Sequence, residues 1–145
     1  MNLKEIYTEL IMEHTQSKHN KGPLEAADHS ERGHNPSCGD DLTVNLKVVD
    51  GRLEDITYEG TGCAISEASA SIMIDLLKGE SIDQAKNKLT LFFGMIKGEV
   101  SDELAEEELL DASILSNIKT MPARVKCAVL AWHALEQCIN RTQDQ

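Results

Sequence analysis

The residues of this chain best suited to chemistry are its four cysteines, Cys38, Cys63, Cys127 and Cys138. The first residues alternate charged and apolar side chains instead of forming the unbroken apolar run of an export signal, which predicts a cytoplasmic protein. In that reducing compartment, thiols more often bind metal or react than form structural disulfides. No two cysteines form a Cys-x-Cys or Cys-x-x-Cys pair, so zinc-finger spacing does not apply.

Cys38 precedes Asp40 by two residues in the segment Asn35-Pro36-Ser37-Cys38-Gly39-Asp40. The conformational freedom of Gly39 permits a tight turn, in which the thiolate and the carboxylate converge. Taken alone, such a turn is weak evidence for a pair of metal ligands. The other cysteines are needed to strengthen it.

Cys63 and Cys127 are both expected at the start of a helix. Cys63 precedes a helix that begins near Ala64, where unpaired backbone N–H groups and the positive end of the helix dipole favour thiolate over thiol. Cys127 falls early in the last predicted helix, beside Arg124 and Lys126, and this also predicts an electropositive setting for its sulfur.

Cys138 lies eleven residues after Cys127, which is about 16 Å along a helix and too far for both to ligate one ion. We expect it to be a buried apolar residue of the helix face. The remaining set, Cys38, Asp40, Cys63 and Cys127, suits the thiolate-rich, tetrahedral preference of zinc. Its single carboxylate would make one ligand easier to exchange than in an all-cysteine site.

The histidines give a weaker signal. Residues 15–37 are polar and aperiodic, which predicts a long surface loop that carries His19, His29 and His34. A metal-ligand role for one of the three is the alternative, but histidines in a polar loop are more often solvated, and that is what we expect. His133 is expected on an exposed helix face. A Cys-His hydrolase would also need a base and an oxyanion hole, and no motif indicates either.

The predicted sheet begins just after Asp40. Apolar residues alternate at Leu42, Val44, Leu46 and Val48, the pair Asp50-Gly51 supplies a turn, and a second strand follows from Leu53 to Tyr58. This is the pattern of a β-hairpin. Thr61-Gly62-Cys63 is predicted to begin a third short strand.

Helical periodicity covers most of the rest of the chain. The predicted helices are one from Leu3 to His14 with Asn2 as N-cap, one over 65–76, one over 82–96 capped by Ser81, a short acidic one within 99–113, and one from Pro122 to Ile139. The fold class expected is α+β, with a small three-stranded antiparallel sheet and helices packed on one face. A chain of this length predicts a single domain over residues 1–145.

Charge and hydropathy argue against two classes of binding partner, nucleic acids and membranes. The net charge of -11 opposes binding to a phosphate backbone, so nucleic acid is not an expected partner. No apolar run approaches the length of about 18 residues that a membrane helix needs, so a membrane is not expected either.

Three motifs, in order along the chain, resemble one family: 35–40, Gly60-Thr61-Gly62-Cys63-Ala64-Ile65-Ser66, and Lys126-Cys127-Ala128. They look like the U-type iron–sulfur cluster assembly proteins, namely IscU, the amino-terminal domain of NifU, and SufU. IscU-like members carry a histidine where this chain has Lys126, and they are shorter between the second and third cysteines. Both departures resemble the SufU branch.

This resemblance implies that zinc is held by Cys38, Asp40, Cys63 and Cys127. It also implies that Cys38 accepts persulfide sulfur from a SufS-type cysteine desulfurase, in company with other iron–sulfur assembly proteins. Arg124 is a candidate to support the freed Cys38 thiolate by its charge. The activity implied is a sulfurtransferase-like relay that works with the desulfurase, rather than a stand-alone enzyme.

Two other functions stay open at this point. In the first, Cys38, Cys63 and Cys127 hold a transient [2Fe–2S] cluster, and the protein is a scaffold for its assembly. In the second, the chain is a structural zinc-binding module that interacts with a partner without sulfur transfer. Substitution of Cys38 separates these readings, because a structural site predicts only a loss of stability.

Overall fold

The computed structural model describes residues 3–143. In chain order its elements are α1 (Leu3–Ser17), β1 (His29–Asn35), β2 (Asp40–Val49), β3 (Arg52–Thr61), α2 (Ala64–Leu77), α3 (Ile82–Ile96), α4 (Asp102–Leu109), the 3-10 helix η1 (Leu110–Ile118) and α5 (Pro122–Gln143). Asn2, predicted to cap α1, lies outside the described residues.

The three strands form one antiparallel sheet in the order β1-β2-β3. The predicted hairpin is β2-β3, and its turn is confirmed: Asp50 and Gly51 both have positive φ, 52° and 74°. Two consecutive left-handed residues match the right-handed twist of the flanking strands. Helices α2 and α5 pack against the sheet, and the predicted α+β fold class is confirmed.

The third strand is not where the sequence pattern put it. Thr61 is the last residue of β3 and Cys63 caps α2, so the strand predicted at 61–63 is wrong. The third strand is β1, inside the segment 15–37 predicted as a loop. It is an edge strand whose sequence is polar throughout, so it lacks the apolar alternation that identified the other two strands.

Helix α5 covers β1 closely. A Cβ added at Gly33 would lie 2.8 Å from Leu130 Cγ, so the glycine lets the helix approach the strand. Two of the three histidines expected in the loop belong to this strand, where His29 is buried and His34 is exposed. Solvation of His29 was therefore a wrong expectation, whereas His133 is exposed on α5 as predicted.

The core lies between the inner face of the sheet and the helices. Leu42, Val44 and Leu46 of β2 are fully buried, at the alternating positions that the sequence predicted. Trp132 of α5 stacks on Phe92 of α3, with ring centroids 3.6 Å apart and planes 4° from parallel. These contacts fix α5, which carries Cys127.

The helix boundaries agree with the capping signals. Ser81 caps α3 by accepting a hydrogen bond from the Gln84 N–H, and Pro122 is the first residue of α5. The acidic segment contains the predicted short helix, α4, but η1 follows it and was not predicted. Leu110 has a φ of 51°, which breaks the α-helix between the two. Within residues 3–143, no helix is both long and apolar enough to span a membrane.

Candidate metal centre

Three potential metal ligands converge where the turn between β1 and β2 meets the beginning of α5. The sulfurs of Cys38 and Cys127 and a carboxylate oxygen of Asp40 all lie within 4.8 Å of one another. Cys38 lies in the turn between β1 and β2, where its N–H donates to the Asn35 carbonyl at 3.2 Å. Gly39, at a φ of 72°, completes that turn, so the predicted convergence of Cys38 with Asp40 is confirmed as geometry.

Asp40 is the buried member of this turn. It is fully buried, and its Oδ1 accepts hydrogen bonds from the Cys63 N–H at 2.8 Å and the Ser66 hydroxyl at 3.1 Å. Its Oδ2 has no hydrogen-bond partner among the residues that the structure describes. A buried carboxylate oxygen without a partner is costly unless a cation satisfies it. The free oxygen therefore fits a metal ligand.

Cys63 borders this group. It caps α2, and its sulfur accepts the Ser66 N–H at 3.4 Å, as expected for a helix start. Among the described residues, Cys63 does not join the set of donors that lie within 4.8 Å of one another. Its backbone bond to Asp40 nevertheless holds it beside them, and its charge acts on Cys127.

Cys127 differs from its prediction. Burial raises the pKa of its thiol well above the usual range, and Asp40, Cys38 and Cys63 raise it further. The electropositive setting expected from Arg124 and Lys126 was thus wrong. Those two side chains are exposed, whereas Cys127 turns inward from α5 and is 5% exposed.

Cys38, Cys63 and Cys127 differ in access to solvent. Cys38 is exposed, Cys63 is half-buried and Cys127 is buried. Cys138 is fully buried apart from them, with its sulfur 3.6 Å from the Val44 carbonyl oxygen, which confirms its predicted place in the core. Only Cys38 of the clustered thiols is therefore open to a large partner.

Arg124 lies in the first turn of α5. Burial raises the pKa of the Tyr7 phenol, the Arg124 charge lowers it, and the Cys63 charge raises it. Tyr7 therefore lies within electrostatic reach of both Arg124 and Cys63. The Tyr7 hydroxyl is also buried, with no hydrogen-bond partner in the described part of the chain.

Ser66 is hydrogen-bonded to Asp40, and Tyr7 lies within electrostatic reach of Cys63, but neither residue was singled out in the sequence. The sequence does contain a hint of the role of Ser66. It lies three residues after Cys63, the N-cap of α2, and a side chain at that position commonly hydrogen-bonds back to the N-cap residue. The lack of a side chain at Gly62 leaves room for Ser66 and Asp40. A Cβ there would collide with the Ser66 hydroxyl and lie 3.0 Å from Asp40 Oδ1. For Tyr7 the sequence offers only its place on the inner face of α1.

The donor types fit zinc. Thiolates and one carboxylate at the meeting point of a turn, a helix start and a buried helix face are ligands that zinc accepts in tetrahedral sites. The fold and this centre together define a small α+β protein with a cysteine-rich candidate metal site, one of whose thiols is exposed.

Comparisons with known proteins agree with this class. A family model described as the NifU-like N terminal domain matches residues 6–145. A Thermotoga maritima protein named iron–sulfur cluster assembly scaffold protein IscU is 40% identical over 141 residues, which span 97% of each chain. A Bacillus subtilis (strain 168) protein named zinc-dependent sulfurtransferase SufU is 36% identical over 142 residues, 98% of this chain and 95% of that one.

A solved structure shares the fold. It is from Fervidobacterium islandicum AW-1, is described as a candidate iron–sulfur cluster assembly scaffold for the SUF system, and superposes with a TM-score of 0.85 at 34% identity, covering 93% of this chain and 97% of that one. The chain therefore belongs to the NifU-like N-terminal domain family of iron–sulfur cluster assembly proteins, which includes IscU and SufU. The family resemblance found in the sequence is confirmed.

Proposed function

We propose that this protein is a zinc-dependent sulfur acceptor, which takes persulfide sulfur from a SufS-type cysteine desulfurase on Cys38. The observation that carries the proposal is the difference in exposure within the cysteine cluster. Cys38 is exposed on a turn, whereas Cys127 is buried. Transfer between two proteins needs a sulfur that a partner can reach, and Cys38 meets that need.

Cys38, Asp40, Cys63 and Cys127 would hold the zinc ion. When bound, zinc supplies positive charge that keeps thiols deprotonated, and it has no redox chemistry of its own. The unpartnered Oδ2 of Asp40 supports this assignment. Asp40 also links two parts of the centre, since its Oδ1 accepts the Cys63 N–H while its backbone continues the Cys38 turn.

The transfer is a thiol exchange. The Cys38 thiolate attacks the outer sulfur of the desulfurase persulfide, a new S–S bond forms at Cys38, and the bond to the desulfurase cysteine breaks. The desulfurase cysteine leaves as a thiolate, so no outside oxidant or reductant is required. The attack depends on access to Cys38, which the exposed turn provides.

Arg124 is proposed to steady the Cys38 thiolate through its charge when the thiolate is free. The support is its place on the exposed first turn of α5, three residues before Cys127, and its electrostatic effect on Tyr7 beside Cys63. A cation at the edge of the centre favours a thiolate there.

We further propose a cytoplasmic protein that works with the desulfurase and with other iron–sulfur assembly proteins. The relative named a zinc-dependent sulfurtransferase supports the relay. The relative named a scaffold supports the second candidate, in which Cys38, Cys63 and Cys127 bind a [2Fe–2S] cluster as cargo during its assembly. The two candidate functions differ in the metal expected in the purified protein: zinc for the sulfur acceptor, and iron with sulfide for the scaffold.

Native mass spectrometry of the anaerobically purified protein tests the proposal. Spectra are taken before and after mixing with a SufS-type desulfurase, pyridoxal phosphate and cysteine, and Cys38 is then mapped in peptides. The expected result is zinc bound at the cysteine centre, and one added sulfur on Cys38 only when the desulfurase is active. Bound iron and sulfide would favour the scaffold. Zinc without any gain of sulfur would refute the relay and favour the structural module.

Ser66→Ala is expected to weaken zinc binding by about 10–100-fold, because loss of a group that orients a metal ligand has effects of that size. Its hydroxyl donates to Asp40 Oδ1 at 3.1 Å. Competition with a zinc-sensitive chelating dye measures the affinity. Ser113→Ala is the control, since Ser113 is half-buried and lines a different cleft between α4 and η1. Equal affinities in the two variants would contradict the role given to Ser66.

A further inference from the structure

A second group of potential ligands lies where the end of α1 meets α2. One ring nitrogen each of His14 and His19 and a carboxylate oxygen of Asp75 all lie within 4.8 Å of one another. His14 is buried, while His19 and Asp75 are about half exposed. Asp75 lies twelve residues after Cys63 on α2, which is about 18 Å along the helix, so this group is separate from the cysteine centre.

Both imidazoles point the same nitrogen at the carboxylate. His14 has Nδ1 2.8 Å from the Ser71 hydroxyl and Nε2 3.9 Å from Asp75 Oδ2. His19 has Nδ1 2.8 Å from the Ser17 hydroxyl and Nε2 3.0 Å from Asp75 Oδ1. Metal-binding histidines characteristically have their second ring nitrogen held by another group, which fixes the ring and frees the first. Here Nδ1 of each ring is held by a serine hydroxyl, and His19 Nε2 contacts both Asp75 and, at 3.1 Å, the Asn20 amide nitrogen.

The carboxylate is held as well. The Asn20 amide donates to Asp75 Oδ1 at 2.9 Å and to the Ser71 carbonyl at 3.0 Å. The same amide lies 3.1 Å from the Ser71 hydroxyl that contacts His14. One network therefore orients the carboxylate and the buried imidazole together.

The path of the chain brings His19 to this place. Helix α1 ends at Ser17, and Lys18 adopts a left-handed conformation with a φ of 53°. A non-glycine residue in that region is uncommon and is held there by its surroundings. The reversal folds His19 back toward Asp75. It also leaves the group at the carboxyl end of α1, where the helix dipole favours a cation.

The spacing of the donors suits one small ion. Ligands around a tetrahedral ion with bonds of about 2.0–2.1 Å are about 3.3–3.4 Å apart. Measured to the same oxygen, Asp75 Oδ2, the Nε2 atoms of His19 and His14 lie at 3.2 and 3.9 Å, on either side of that value. A cleft of about 150 Å³, lined by His14, Asp75, Asp111 and apolar residues of α2, α4 and η1, leaves room for water as a fourth ligand.

We propose that His14, His19 and Asp75 form a second metal site, which binds one divalent first-row transition-metal ion of the zinc class. Two imidazoles and a carboxylate suit zinc, iron, nickel or copper rather than magnesium or calcium, which prefer all-oxygen ligands. Binding displaces to solvent any proton shared by His19 Nε2 and Asp75. The site is independent of the cysteine centre and of sulfur transfer.

The test counts metal ions in the reduced, metal-stripped full chain. Native mass spectrometry with Zn²⁺ is expected to show two ions in the wild type and one in His19→Gln and in Asp75→Asn. His133→Gln is the matched control, an exposed histidine of α5 away from this group, and it should keep two ions.

Titration with Co²⁺ tells which ion is lost. The His19→Gln and Asp75→Asn variants should retain the thiolate-to-cobalt charge-transfer band of the cysteine centre and lose only the second equivalent, which lacks that band. A wild type whose single ion survives in both His19→Gln and Asp75→Asn would overturn the proposal. So would a His19→Gln variant that keeps both ions, or one that loses the charge-transfer band instead.

Discussion

Cys38→Ala is expected to abolish the gain of sulfur from a cysteine desulfurase while the protein stays folded. The sulfur is exposed on the turn between β1 and β2, so its removal buries no polar group and leaves no cavity. Surface substitutions of this kind change the free energy of unfolding by about 0.5 kcal/mol or less. Urea unfolding of the zinc-free variant, beside mass spectrometry of the desulfurase reaction, measures both quantities.

Ser37→Ala supplies the matched control for this variant. It alters the preceding residue of the same exposed turn without removing a thiol, so it should accept sulfur as the wild type does. If Cys38→Ala still gained sulfur, peptide mapping would identify the true acceptor, and Cys63, as the half-buried thiol, would be the first to inspect. If instead the zinc-free variant lost several kcal/mol of stability, Cys38 would have a structural role that its exposure does not suggest.

The turn that carries Cys38 and Asp40 could be predicted because its determinants are local. The spacing of Cys38 and Asp40 around Gly39 limits their separation whatever the rest of the fold does. The capping position of Cys63 is similarly local, since it depends only on where α2 begins. Neighbouring residues alone are enough to decide such features.

The sequence predictions that were wrong concern features that depend on residues distant in the chain. Cys127 follows Lys126 in sequence, yet the helix turns one side chain into the core and the other to solvent, so the nearby charges do not set the environment of the sulfur. Strand β1 has no apolar alternation, and only its pairing with β2 and its contacts with α5 identify it as a strand. Neither arrangement can be read from a local window of sequence.

The second histidine group illustrates the same limit. His19 and Asp75 are 56 residues apart, and they meet only because α1 packs on α2 and Lys18 reverses the chain. His19 is exposed in a turn, as expected, but the 3.0 Å contact of its Nε2 with a carboxylate oxygen was not predicted.

Trp132→Ala is expected to lower the free energy of unfolding by about 3–5 kcal/mol, the usual cost of truncating a buried aromatic residue. The side chain is fully buried and stacks on Phe92 with centroids 3.6 Å apart. Chemical denaturation followed by circular dichroism measures the loss, because Trp132 is the only tryptophan and its fluorescence disappears with it. Zinc is removed beforehand, since an ion that binds only the folded state would add to the apparent stability.

Trp132→Phe separates the stacked ring from the hydrogen bond and is informative even if the alanine variant does not fold. The indole N–H donates to the Ser69 hydroxyl at 2.9 Å, and that hydroxyl donates to the Ala128 carbonyl at 2.6 Å. Phenylalanine keeps an aromatic ring against Phe92 but removes the donor, and the expected loss is about 1–2 kcal/mol. A loss as large as that of alanine would mean that the polar chain, rather than the stack, holds α5 in place. Since Ala128 directly follows Cys127, weaker zinc binding would then accompany the loss of stability.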